Sequence, residues 1–110
     1  MKTKELYTTL QKIHEPKGYF FNCDDTITFG VLDGLLANKE RYGFMACPCR
    51  LAEGEYEADR DIICPCQYRE EDVQEFGACY CNLYVSKAFN EKGGGMAVIP
   101  ERRPPEKYDF

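Results

Sequence analysis

Seven cysteines stand among the 110 residues, and six of them form three C-x-C units: Cys47-Pro48-Cys49, Cys64-Pro65-Cys66 and Cys79-Tyr80-Cys81. All six fall within 35 residues. Thiolates are soft metal ligands and strong nucleophiles, so such a cluster points to metal binding, to redox chemistry or to both. Structural zinc takes four ligands, normally from more widely spaced cysteine pairs, so six thiols overshoot it. A disulfide within one C-x-C is strained. An iron–sulfur cluster takes four thiolates from separated segments, and the remaining two make a redox-active dithiol. Side chains at i and i+2 of an extended chain share a face, and a proline turn splays or converges them. One unit can therefore give one sulfur to a cluster and hold the other beside it. Two units split in this way and a third donating both sulfurs would use all six. Spacing leaves open which unit donates twice and which cysteine of each split pair is the ligand.

The elements that must position these thiols are legible in outline. A first helix has Thr3 as its cap and Leu6, Leu10 and Ile13 on one face, and it ends at Pro16 and Gly18. Tyr19-Phe20-Phe21 is an apolar stretch expected to pack under the next helix. That helix has cap candidates in Asp24, Asp25 and Thr26, a wide stripe of Ile27, Val31, Leu32, Leu35 and Leu36, and a stop at Gly43. Two acidic connectors follow, Glu53 to Asp61 and Glu70 to Glu75, read as solvated helical surface, the second closing at Gly77. Neither has the apolar residues for its own core, so a metal centre is the expected glue of this half. Leu83-Tyr84-Val85 and Met96 to Ile99 have strand-like composition and suggest a short β-ribbon near the C-terminus, interrupted by a helix over Ser86 to Glu91. From Pro100 the chain reads as an extended arm. The division expected is one domain over residues 1–99 and a tail over 100–110.

Composition narrows the function. Hydrophobic residues make up 44% and charged residues 30%, as in a folded domain rather than a disordered one. A net charge of −5 with scattered Lys and Arg argues against a binder of nucleic-acid phosphates. No apolar run is long enough to span a membrane. Met1-Lys2-Thr3-Lys4-Glu5 leads into a helix and lacks the apolar core of a signal peptide, so a cytoplasmic location is expected. In that compartment clustered cysteines hold metal or do redox chemistry rather than form structural bridges.

The run Cys47-Pro48-Cys49-Arg50, with Cys64-Pro65-Cys66 and Cys79-x-Cys81, resembles the catalytic chain of the ferredoxin–thioredoxin reductase family. So does the preceding helix, with Gly34-Leu35-Leu36-Ala37-Asn38-Lys39 and Gly43. The resemblance covers most of the chain. It implies a mainly α metal-cluster domain of helices and loops wrapped around one [4Fe–4S] cluster, ligated by Cys47, Cys64, Cys66 and Cys79. It implies an active-site disulfide between Cys49 and Cys81, with Cys49 as the exposed nucleophile. Ferredoxin would supply electrons, thioredoxin or a thioredoxin-like protein would be the substrate, and a small variable subunit is a further implied partner. Plant and cyanobacterial members carry His where this chain has Tyr80, which makes Tyr80 a catalytic candidate of different acidity. Two other readings compete: a zinc-binding interaction module and a simple [4Fe–4S] electron carrier.

The remaining candidates are quickly placed. Arg50 is a cation next to the nucleophile. Lys39, Arg41, Arg69 and Lys87 are candidate contacts for an acidic donor. Cys23, outside the pattern, is expected to be a buried structural thiol. His14, the single histidine, is expected to serve a helix C-terminus.

Overall fold

The spacing of Leu6 and Leu10 puts both on the buried side of α1 (Thr3–His14), and His14 joins them at its end. The computed structural model describes residues 2–108. Thr3 does not cap the helix. The capping position falls to Lys2, without a side-chain bond, and the Thr3 hydroxyl donates to Asp33 of the next helix. A 3-10 turn (Glu15–Lys17) and Gly18 at φ +90° turn the chain back. Only glycine adopts that conformation without steric cost.

α2 (Asp25–Tyr42) is built as its sequence indicates. The Asp24 carboxylate accepts the N–H groups of Thr26 and Ile27, and Gly43 closes the helix in the left-handed region. Thr28, Val31, Leu32 and Leu35 are buried, while Ile27 and Leu36 flank them half-buried. Tyr7 of α1 stacks on Phe29 of α2 and tilts onto Phe21, joining the two helices over aromatic rings.

Among the described residues the fold is mainly helical with one two-stranded sheet. The β-ribbon differs from expectation in its partner. β1 (Phe20–Phe21) pairs antiparallel with β2 (Tyr84–Val85), Phe20 opposite Val85 and Phe21 opposite Tyr84. Met96 to Ile99 forms no strand. Gly93, Gly94 and Gly95 all have positive φ, and the backbone beyond them bonds to side chains instead. Asn22 takes both the N–H and the C=O of Gly95, and Asn82 does the same for Ala97.

The second half contains α3 (Tyr56–Asp59), α4 (Arg69–Phe76), ended by Gly77, and α5 (Lys87–Glu91), capped by the Ser86 hydroxyl. Its acidic connectors are not wholly solvated surface, because Asp59, Asp61 and Asp72 are buried. Asp59 accepts the N–H groups of Glu53 and Gly54. Asp61 accepts from the Tyr68 hydroxyl at 2.7 Å and from Arg103 Nε at 2.9 Å. Asp72 accepts from Arg102 Nε at 2.8 Å. Buried charge is tolerated only when paired. The segment after Ile99 supplies the pairing and ties the connectors into the fold.

Candidate functional site

Each C-x-C unit feeds a tight turn. The N–H of Arg50 bonds to the carbonyl of Cys47, that of Arg69 to Cys66, and that of Asn82 to Cys79, each spanning i to i+3. Asn82 has φ +63°, a conformation asparagine tolerates better than most residues. A backbone bridge between Ala46 and Ile63 aligns the first two units, with Cys47 N–H on Ile62 O at 2.8 Å and Cys64 N–H on Met45 O at 2.9 Å. Cys79 N–H bonds to Tyr84 O at 2.9 Å and anchors the third. Helix α2 sets the first unit from the other side. Asn38 Nδ2 donates to Ala46 O at 2.8 Å. The Pro48 ring lies so close to Gly34 that a Cβ there would stand 2.7 Å from Pro48 Cβ.

These turns bring all six thiols to one place. Cys47, Cys64, Cys66, Cys79 and Cys81 line a single cavity with Val31, Leu35, Leu83 and Tyr84. Cys49 is exposed at its edge, whereas Cys81 is buried. Cys49 and Cys81 also line one surface pocket with Val31 and Pro48. The neighbouring Cys47 and Cys81 thiols hold the Cys49 thiol far below its ordinary range. The Cys81 thiol is correspondingly pushed up by its bonds to Cys47 and Cys49. Burial raises the thiols of Cys64, Cys66 and Cys79, the last to about 11. A bound metal would displace those protons, as thiolate ligation requires.

The donor set suits an iron–sulfur cluster. Four cysteines from three segments share one cavity with Cys81, several apolar side chains and the guanidinium groups of Arg50 and Arg69, and two of the four already accept N–H groups. Cys66 Sγ accepts from Arg50 Nη1 at 3.3 Å, and Cys79 Sγ from the Tyr84 N–H at 3.3 Å. The Tyr84 hydroxyl is buried without a partner among the described residues. A polar group so placed calls for an acceptor, and a cluster sulfide or ligand sulfur is of the right chemistry. Among the described residues no three His, Cys, Asp or Glu side chains converge as the ligands of one metal ion do. A four-iron cluster spreads its thiolates over four metal atoms and needs no such convergence.

Other candidates fall in and out of this site. The buried guanidinium of Arg50 touches Cys66, packs 4.5 Å from the Tyr80 ring centre and 5.2 Å from that of Tyr68, and pairs with Glu101. Arg69 is no free surface cation. Its guanidinium lies 3.8 Å from the Tyr19 ring centre and 4.8 Å from that of Tyr84, with Nη1 2.9 Å from His14 Nδ1. His14 is buried, and burial with the neighbouring Arg69 and Lys17 lowers its pKa to about 4, so it is neutral at pH 7. Lys39, Arg41 and Lys87 are exposed, at the last turn of α2 and the first of α5. Cys23 is exposed rather than buried. It sits in the turn before α2, where its N–H is taken by Asn90 Oδ1 and a Cβ on Gly94 would stand 2.6 Å from its sulfur. Glu101 and Tyr84 escaped the sequence reading. One acts through a contact 51 residues away, and the other reads as plain strand composition.

Comparison with known proteins gives the family. The family model for the "Ferredoxin thioredoxin reductase catalytic beta chain" matches residues 2–101. The ferredoxin-thioredoxin reductase catalytic chain of Guillardia theta is 37% identical over 82 residues, covering 73% of this chain and 76% of that one. Its counterpart in Porphyra purpurea is 33% identical over 75 residues, covering 63% of this chain and 57% of its own length. That of Synechocystis sp. is 30% identical over 83 residues. The chain thus spans little more than half the length of the Porphyra relative. It belongs to the ferredoxin–thioredoxin reductase catalytic-chain family.

Proposed function

We propose that this member of the family is the catalytic chain of a disulfide reductase, with Cys49 as nucleophile and Cys81 as resolving thiol. The observation that carries the reading is the placement of an exposed Cys49 and a buried Cys81 on one surface pocket, next to a cavity that Cys81 lines with four further cysteines. Cys47, Cys64, Cys66 and Cys79 would hold a [4Fe–4S] cluster. When bound, that cluster would supply the electrons that reopen the Cys49–Cys81 disulfide, received singly from a ferredoxin.

The chain's own residues do the remaining chemistry. The Cys49 thiolate attacks one sulfur of the target disulfide, forms a mixed disulfide and expels the other target sulfur as thiolate. Cys81 then attacks the Cys49 sulfur, which closes Cys49–Cys81 and releases the second target thiol. The Cys81 thiol carries one proton into the cycle and gives it up as it closes, so one target sulfur leaves protonated and the other takes its proton from water. Two electrons pass from the chain to the target. Tyr80 serves as the aromatic platform of Arg50. Burial and the Glu101 carboxylate raise its phenol above the ordinary range, which makes it a poor proton donor at neutral pH.

Thioredoxin or a thioredoxin-like protein is the substrate class, since the attacked group is an accessible protein disulfide. A small variable subunit would complete a photosynthetic-type assembly, and the cytoplasm is the compartment in which the ligand thiols stay reduced. Cys49→Ser tests the assignment. Disulfide reduction should be lost while the visible absorption of the cluster remains. Turnover that survives the substitution would leave a plain electron carrier, and loss of the absorption would make Cys49 a ligand.

A further inference from the structure

Arg50 follows the nucleophile in sequence, yet its side chain turns to the other half of the site. Nη1 donates to Cys66 Sγ at 3.3 Å. Nε and Nη2 are both taken by the Glu101 carboxylate, at 2.9 to 3.1 Å. The guanidinium plane sits against the rings of Tyr80 and Tyr68. Glu101 is itself fixed, because its Oε1 also accepts the Arg103 N–H at 2.9 Å. Arg103 in turn is buried against Asp61, the partner of the Tyr68 hydroxyl. The fork of Arg50 is thus held on three sides, with its one sulfur contact on a cavity cysteine and none on the nucleophile.

We infer that Arg50 and Glu101 form an opposed charge pair that sets the reduction potential of the group held by Cys66, with Arg50 as the positioning residue and the C-terminal segment as its support. The inference rests on the cluster reading above. A hydrogen bond from a cation to a ligand sulfur stabilises the more negative, reduced state and raises the potential. The carboxylate paired with that cation offsets part of its charge. The two members of the pair therefore act with opposite sign. A contact that served folding alone would instead weaken the protein in both variants and leave the potential where it was.

The test is the midpoint potential of the visible chromophore, followed by absorption in a mediated redox titration of the anaerobically purified wild type, Arg50→Gln and Glu101→Gln. Arg50→Gln should shift the potential downward and Glu101→Gln upward, and Arg50→Lys, which keeps charge without the fork, should fall between Arg50→Gln and the wild type. Glu101→Gln is isosteric and keeps an acceptor for Arg50, so it carries the test even where Arg50→Gln fails to fold. Potentials that coincide with the wild type, or that move in the same direction in both variants, overturn the inference while the cluster reading stands. A wild type that purifies without iron overturns the reading and the inference together.

Discussion

Tyr80 stands between two of the site's cysteines, and its ring packs against Arg50. Its centre lies 4.5 Å from the Arg50 guanidinium carbon, within cation–π range. Its phenol is pushed up, so a proton does not leave it readily. Tyr80→Phe keeps the ring and removes only the hydroxyl. Disulfide reduction by that variant should stay within about threefold of the wild type, against the roughly 100-fold loss expected when a general acid is removed. Steady-state rates on a reduced donor and an oxidised thioredoxin-like substrate decide between the two. The resemblance drew attention to this position through its departure from the family histidine. The ring's use became visible only with Arg50 in place, since no spacing rule relates Arg50 to a side chain 30 residues away.

Helix α2 works as the ruler of the site. It touches the first C-x-C unit twice, through Asn38 on Ala46 and through Gly34 under Pro48. A glycine inside a helix costs about 1 kcal/mol relative to alanine, so its presence needs a reason. Here the reason is close approach, because a Cβ would stand 2.7 Å from a ring carbon that cannot swing away. Gly34→Ala should therefore destabilise the protein by about 1–3 kcal/mol despite the gain in helix propensity. A urea melt measures it, and a variant more stable than the wild type would refute the contact. Much of this element could be read in advance. Asp24, the Val31–Leu35 row and Gly43 each act within one or two helical turns, and local rules capture them. The ribbon could not. Two-residue strands carry almost no periodicity, and the choice of Phe20–Phe21 over Met96–Ile99 as partner of Tyr84–Val85 depends on Asn22 and Asn82 occupying the later segment's backbone. The same limit hid the buried carboxylates. Asp59, Asp61 and Asp72 look like their solvated neighbours until Arg102 and Arg103 arrive from the end of the chain.

At the scale of the whole molecule, two kinds of glue serve the cysteine-rich half. One is the cluster proposed for the cavity thiols. The other is the closing segment, in which Ile99 is buried, Glu101 holds Arg50 and Arg103 reaches Asp61, Leu51 O and Ala58 O. Arg103 is fully enclosed, so its removal strands a buried carboxylate. Arg103→Met should cost about 3–5 kcal/mol, read as a lowered denaturant midpoint. A change below about 1 kcal/mol would make that segment an accessory to the fold. The cluster proposed at the cavity has a direct measurement: iron and acid-labile sulfide in anaerobically purified protein, with its visible spectrum. The account predicts about four iron and four sulfide per chain with broad absorption in the blue. A colourless protein holding about one zinc per chain, unchanged after iron-replete preparation, would contradict it.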